Sequence, residues 1–243
     1  MRSALLFAST LALGACNVSA DAQNNAQAST GSVQRAFEVA GFDSVSLGGP
    51  HNVVVQVGPA TSVRAEGPAA ELDRLEIKVE NGDLEIGTRK DKSWTVHVGR
   101  TVPVTIYVTT PMLKAAAIGG SGDMQIDKVE GVNFKAAVGG SGDIAIASLK
   151  VDNASFSIAG SGGIKAVGSA GKADISVVGS GDVDVGGVET RSASVSIAGS
   201  GDVQTRAMET ADVSIMGSGD VTVSGPAKCS VSKMGSGDVR CGG

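Results

Sequence analysis

The 243 residues include 20 Lys or Arg and 25 Asp or Glu, a formal charge of −5 that becomes −6 if a leader carrying Arg2 is removed. Acidity of that size serves solubility and excludes nucleic acid as an expected partner. Aromatic residues make up only 3% while glycines number 35, about twice the usual share of roughly 7%, so an aromatic-anchored globule is excluded and many turns are implied.

Arg2 and the apolar run Ala4 to Gly14 open the chain, and those 11 residues are too few to span a bilayer. The run ends in Leu13-Gly14-Ala15-Cys16, which resembles the lipobox of bacterial lipoprotein signal peptides. Residues 1–15 are therefore expected to be a cleaved lipoprotein signal peptide, with Cys16 as the lipidated first residue and the membrane as a partner through that lipid. The rival reading is an ordinary secretory leader with an incidental cysteine. Asn17 stands where the inner-membrane retention signal of lipoproteins has an aspartate, so the resemblance implies the outer membrane, on either face. Residues 16–35, rich in Ala, Asn, Gln and Ser, are expected to be a disordered tether of roughly 25 Å root-mean-square span.

From 36 to 113 the pattern is β but irregular. Strands are expected at Val45 and Leu47, Val53 to Val57, Leu75 to Val79, Leu84 to Ile86, Trp94 to Val98 and Val102 to Val108. Asn81-Gly82-Asp83 is a hairpin signal, Pro68 to Arg74 one or two helical turns, and Gly48-Gly49-Pro50 a turn without the Lys or helix start of a phosphate loop. The region forms either longer, irregular coils or a small separate sheet.

From 114 to 241 a repeat takes over. Gly-Ser-Gly-Asp begins at 120, 140, 179, 199, 217 and 235, Gly-Ser-Gly-Gly fills the gap at 160, and the six intervals run between 18 and 20 residues. Such a period is one coil of a β-solenoid, whose apolar face is buried only by stacking on its neighbours. Ile118, Val138, Ile158, Val177, Ile197 and Ile215 stand two residues before the motif; Phe156, Ile175, Val195, Val213 and Val231 stand four before it. Met124, Ile144, Ile164, Val183, Val203, Val221 and Val239 follow it directly, and Ile126, Ile146, Val185 and Val223 two residues later. Alternation of period two on both sides of a Gly-rich turn means two short strands per coil with one face inside. Val129, Leu149, Val188 and Met208 mark a third inward position.

With Cys16 assigned to lipid, Cys229 and Cys241 remain as an expected disulfide in an oxidising compartment. Cys229 falls in the column of Ala154, Ala173, Ala193 and Ala211, and Cys241 in that of Val185 and Val223, both inward-pointing. The bridge would close the last coil, contributing roughly 3 kcal/mol in the chain-entropy view. Lys233 interrupts the Ile and Val column in that same coil, as a polar cap does.

Gly41-Phe42-Asp43-Ser44-Val45, the stretch Leu72 to Ile86 with Asn81-Gly82-Asp83-Leu84-Glu85-Ile86, Pro111-Met112-Leu113 and the Gly-Ser-Gly-Asp ladder together resemble the bacterial autotransporter adhesin head GIN domain family, over about residues 36–241. The resemblance implies a right-handed β-helix-like fold, an envelope or surface location, an adhesin role and no catalytic residues. The fold class expected is all-β: a right-handed parallel β-helix-like solenoid of about seven 18–20-residue coils, preceded by a less regular β region, in one head domain spanning 36–241.

The motif aspartates Asp123, Asp143, Asp182, Asp202, Asp220 and Asp238 would stack about 4.8 Å apart, where two bare charges repel by roughly 0.9 kcal/mol in water. Such a ladder could hold calcium. The preferred reading is that each aspartate accepts hydrogen bonds from its own turn's N–H groups, since Gly163 interrupts the ladder and calcium-binding solenoids pack such residues at half this period. No metal site and no cofactor is therefore expected. The serines Ser121, Ser141, Ser161, Ser180, Ser200, Ser218 and Ser236 lack a histidine in the repeats to serve as base, so they read as a turn ladder. His51, Trp94 and His97 are the only other chemically versatile group, expected in structural or surface roles. Three classes follow: a surface interaction or adhesion module, a structural envelope lipoprotein, and, last, a carbohydrate-active β-helix enzyme using paired aspartates. The expectation is a non-enzymatic envelope lipoprotein that meets an envelope or surface protein or glycan on a flat ladder face.

Overall fold

The computed structural model describes residues 32–89 and 102–242. The leader, Cys16, the tether up to residue 31, and the strand expected at Trp94 to Val98 lie outside the described residues, as do Trp94 and His97 themselves.

In chain order, β1 (Val33–Phe37), β2 (Ser44–Leu47), β3 (Asn52–Val57) and β4 (Ser62–Gly67) lead to α1 (Ala69–Arg74), β5 (Leu75–Glu80), β6 (Asp83–Thr88) and β7 (Thr105–Thr110). Then come β8 (Ala115–Ile118), β9 (Met124–Ile126), β10 (Val129–Val138), β11 (Ile144–Gly160) and β12 (Gly163–Gly179). β13 (Asp182–Gly199), β14 (Val203–Gly217), β15 (Val221–Ser224), β16 (Lys228–Gly235) and β17 (Val239–Cys241) complete the chain. All 17 strands belong to one sheet wound into stacked parallel coils, a β-solenoid of about six turns.

The inward columns place the core. Ile118, Val138, Ile158, Val177, Ile197 and Ile215 lie in register and are all buried, and so are Met124, Ile144, Ile164, Val183, Val203 and Val221 after the turn. Burying an aliphatic side chain of this size stabilises by roughly 1.5–3 kcal/mol, which is how short facets with small side chains hold a long stack together. The facets are not separate strands, however. From β11 to β14 the chain stays in extended pairing around the corners for 15 to 18 residues, and the corners register as bulges such as the one between Ile146 and Leu149.

The motif glycines are dictated by this stacking. A Cβ on Gly140 would run into the carbonyl oxygen of Gly120, and one on Gly142 into that of Gly122, so two turns one coil apart approach too closely for any side chain there.

Four expectations need correction. Met208 is not an inward residue: it is exposed and Ala207 is buried, because β14 skips three residues between Thr205 and Arg206, where β13 has Gly186, Gly187 and Val188, and regains one before Thr210, so that Ala207 pairs with Thr190 and nothing in β14 pairs with Val188. The last strand of the irregular region starts at Thr105, with Val102 exposed outside it. Residues 33–35, expected as tether, lie instead in β1, where Val33 to Arg35 pair antiparallel with β4 and the Arg35 guanidinium donates to the Leu72 carbonyl and to Asp73 at 2.9 and 2.6 Å. In the last coil the inward positions stay open: Cys229 is half-buried and Cys241 exposed, because no described coil covers them. The two cysteines are nonetheless bonded, with Cα atoms 6.5 Å apart.

The N-terminal region is part of the same stack, in an order that differs from the chain order. β2 lies between β6 and β8, and β3 between β7 and β9, all parallel. The chain thus lays down the β2–β3 coil first, folds back through β4, α1 and β5 to place β6 and β7 on its outer side, and returns to its inner side with β8. β4 pairs antiparallel with β1 and β7, β5 antiparallel with β6, and Leu72 of α1 is buried, so this end is built of antiparallel ribbons and a helical turn. The β5–β6 turn is the anticipated one, with Asn81 and Gly82 at φ 53° and 82°. Gly48-Gly49-Pro50 proves to be a degenerate motif turn: the N–H groups of Gly119 and Ser121 donate to the carbonyls of Leu47 and Gly49 at 2.7 and 3.2 Å.

Candidate functional site

The motif turns place their aspartates in one exposed row, and five of the six carboxylates, all but that of Asp238, are committed to the next coil rather than to their own turn. Asp123 Oδ1 accepts from the N–H of Asp143 at 3.1 Å, Asp143 from Gly163 at 2.6 Å, Asp182 from Asp202 at 2.9 Å, Asp202 from Asp220 at 2.9 Å and Asp220 from Asp238 at 2.8 Å. The own-turn reading is thereby corrected: in a stack, the nearest unpaired N–H lies one coil on. Asn52 extends the row backward, its Oδ1 facing the Asp123 N–H at 3.4 Å. Gly163 has no side chain to offer, so the Asp182 N–H turns to the Gly162 carbonyl at 3.3 Å. Among the described residues no group of three or more His, Cys, Asp or Glu comes together as a metal site.

The seven motif serines are exposed in the adjoining row, held by backbone bonds from their own N–H groups to a glycine carbonyl of the preceding coil, such as Ser200 to Gly179 at 2.8 Å. His51 is 1% exposed. Its Nδ1 accepts from the Val104 N–H at 3.4 Å and its Nε2 lies 3.2 Å from Thr88 Oγ1. Burial lowers its pKa, because the charged ring would lose its water, and the Glu71 carboxylate opposes this only in part. It is a packed structural residue between two coils.

A second polar surface went unnoticed in the sequence. On the facet before the turns the outward residues form two in-register columns: Ser155, Asp174, Ser194, Asp212 and Ser230, and beside them Ser157, Ser176, Ser196, Ser214 and Ser232. The signal was available as the residues alternating with Phe156, Ile175, Val195, Val213 and Val231. Their side chains are short, so the facet is flat. Where a long base is near, it is tied down: Lys172 meets Asp174 at 2.8 Å. Beyond the facets the surface carries shallow hollows. One of about 670 Å³ is lined by mixed charges including Glu130, Lys150, Asp152, Glu189 and Arg191, and one of about 400 Å³ by apolar groups including Val54, Ile126, Ile146 and Val167.

Residues 41–227 match the family described as "Putative auto-transporter adhesin, head GIN domain". A comparison with curated proteins returns no match. Among solved structures the chain is similar to a putative adhesin from Bacteroides fragilis, at 24% identity and a TM-score of 0.79, covering 88% of this chain and 98% of that one. It is also similar to a putative lipid binding protein from Parabacteroides distasonis, at 24% identity and a TM-score of 0.66, covering 86% and 96%. A putative adhesin from Parabacteroides merdae, at 18% identity and a TM-score of 0.67, covers 86% and 95%. At these identities the likeness is one of fold.

Proposed function

Because the chain belongs to the auto-transporter adhesin head GIN domain family, matched over residues 41–227, we propose that it is a non-enzymatic cell-envelope lipoprotein that works as an adhesin-like surface-interaction module. Cys16 carries the lipid, residues 17–31 tether the solenoid to the outer membrane, and the flat polar facet meets an envelope or surface protein or glycan. The observation that carries this reading is the pair of outward Ser and Asp columns, five coils long in register. A flat array of hydroxyls and carboxylates at the coil spacing suits an extended polar partner better than a small substrate.

Two experiments test it. Lipid labelling in a Gram-negative host should mark the membrane-bound wild type and vanish with Cys16→Ala; labelling that persists in the variant, or is absent from both, removes the lipoprotein half. For the interaction half, the triple variant Ser176→Arg, Ser196→Arg, Ser214→Arg should lose retention on envelope fractions at least about tenfold while keeping its melting temperature, since the side chains face outward. Equal retention would move the partner off this facet. Release of reducing ends from an envelope polysaccharide, abolished by replacing motif aspartates, would instead favour the carbohydrate-active reading.

A further inference from the structure

The facet before the turns carries a third outward column beside the Ser and Asp columns. Ala159, Val178, Ala198, Met216 and Met234 lie in register directly before the turn glycine and are all exposed, Val178 at 55% and Met216 at 62%. Side chains two residues apart on a strand share a face, so the columns stand roughly 6.7 Å apart across the facet and repeat about every 4.8 Å along it. Across its width the facet therefore grades from carboxylate and hydroxyl, through hydroxyl alone, to apolar. Along its length the register holds without a shift for five coils, roughly 19 Å.

Two features of these columns select the class of partner. They hold no Trp, Tyr or Arg, the anchors of protein interfaces, and Ser, Asp and Ala, which such interfaces deplete, fill every position but Val178, Met216 and Met234. Their charges are the carboxylates of Asp174, offset from the margin by Lys172 at 2.8 Å, and of the exposed Asp212. With the motif aspartates a turn away, an anionic polymer is repelled.

What fits is a ligand with a polar rim and an apolar face repeated at the coil spacing. A pyranose ring has both, its equatorial hydroxyls around the rim and its C–H bonds on the faces. A β linkage sets successive rings in a flat ribbon, each ring advancing by about one coil. We propose that this facet binds a neutral, β-linked polysaccharide lying along the stack, with ring hydroxyls on the serine column and C–H faces on Val178, Ala198 and Met216. The inference names the partner of the surface-interaction module and rests on that reading of the facet. One exposed hydroxyl contributes little against water, so binding comes from many coils engaged at once. Affinity therefore climbs with chain length until the columns are spanned.

The test is calorimetric titration of the full-length protein in mild detergent with cello-oligosaccharides and fully N-acetylated chito-oligosaccharides, from disaccharide to octasaccharide. Affinity for at least one series should rise about tenfold or more from disaccharide to pentasaccharide and then level off. Malto-oligosaccharides, whose α linkage curls the chain, and anionic oligogalacturonates should bind about tenfold more weakly or worse at equal length. Val178→Asp, which sets a carboxylate against the ring face, should weaken the pentasaccharide about tenfold or more while keeping the melting temperature. Met216→Asp is read the same way should Val178→Asp fail to fold. If Ser176→Arg, Ser196→Arg, Ser214→Arg abolishes retention on envelope fractions but the parent binds neither series, the glycan is overturned and the facet keeps a protein partner. Oligosaccharide binding that survives the triple substitution, or that ignores chain length and charge, also overturns the inference. Retention that ignores the triple substitution, with neither series bound, sinks the facet reading and the inference together.

Discussion

Thr205 is wholly buried in the column between Val185 and Val223, and its Oγ1 has no hydrogen-bond partner among the described residues. A buried hydroxyl left unpaired costs more than the methyl that would replace it, so Thr205→Val should raise stability by about 1 kcal/mol in urea unfolding. His51 has the opposite character, a polar ring well used whose charged form burial disfavours. With its folded pKa lowered by burial, the unfolded chain takes up the proton first. The stability tied to this residue is thus complete above the ordinary value of 6.5 and declines as pH falls below it, until the lower folded value is passed. Melting temperatures of wild type and His51→Gln measured from pH 7.5 to 5 should show the steeper fall in the wild type; parallel curves would mean that another group governs acid sensitivity.

At the scale of the element, the turn ladder ties neighbouring coils with one carboxylate-to-N–H bond per rung. Asp202 Oδ1 holds the Asp220 N–H at 2.9 Å at an exposed corner, where water competes. Asp202→Ala should therefore cost only about 0.5–1.5 kcal/mol, the net worth of one hydrogen bond, and chemical denaturation checks it. Because one oxygen of each rung is already committed to the backbone, added calcium should leave the melting temperature of the parent unchanged. A calcium-dependent rise lost in Asp202→Ala would restore the cation reading of the row. The Gly163 gap shows how a rung fails: the next N–H finds a carbonyl instead, and the stack continues in register.

In the whole molecule each coil contacts only its neighbours, so perturbations at one end stay there. The Cys229–Cys241 bridge joins β16 to β17, in the coil with one partner. Its reduction should free up to about 3 kcal/mol of loop entropy in the denatured chain. The consequence belongs to the last coil: hydrogen exchange under reducing conditions should accelerate in residues 225–241 and stay unchanged in 115–160. Uniform acceleration would mean the solenoid opens as one unit.

The solenoid of 115–223 was legible in the sequence because each coil repeats the same local chemistry: glycines where turns touch, β-branched residues at alternate inward positions, and a cysteine in each of two columns of the last coil. What local pattern could not supply is whatever depends on partners distant in sequence. Nothing in Val45, Leu47 or Val53 says that their coil lies between those of Leu84 and Ile118, since any inward apolar strand stacks on any other and long-range pairing alone selects the order. The same reason hid the acceptor role of the aspartates, the residues skipped in β14 that leave Met208 outside the core, and the single facet shared by the Ser and Asp columns. The sequence by itself determined the period, the buried columns and the cysteine pair; the tertiary structure decided the order of the coils and the direction in which each side chain spends its hydrogen bonds, because both are set by the neighbouring coil.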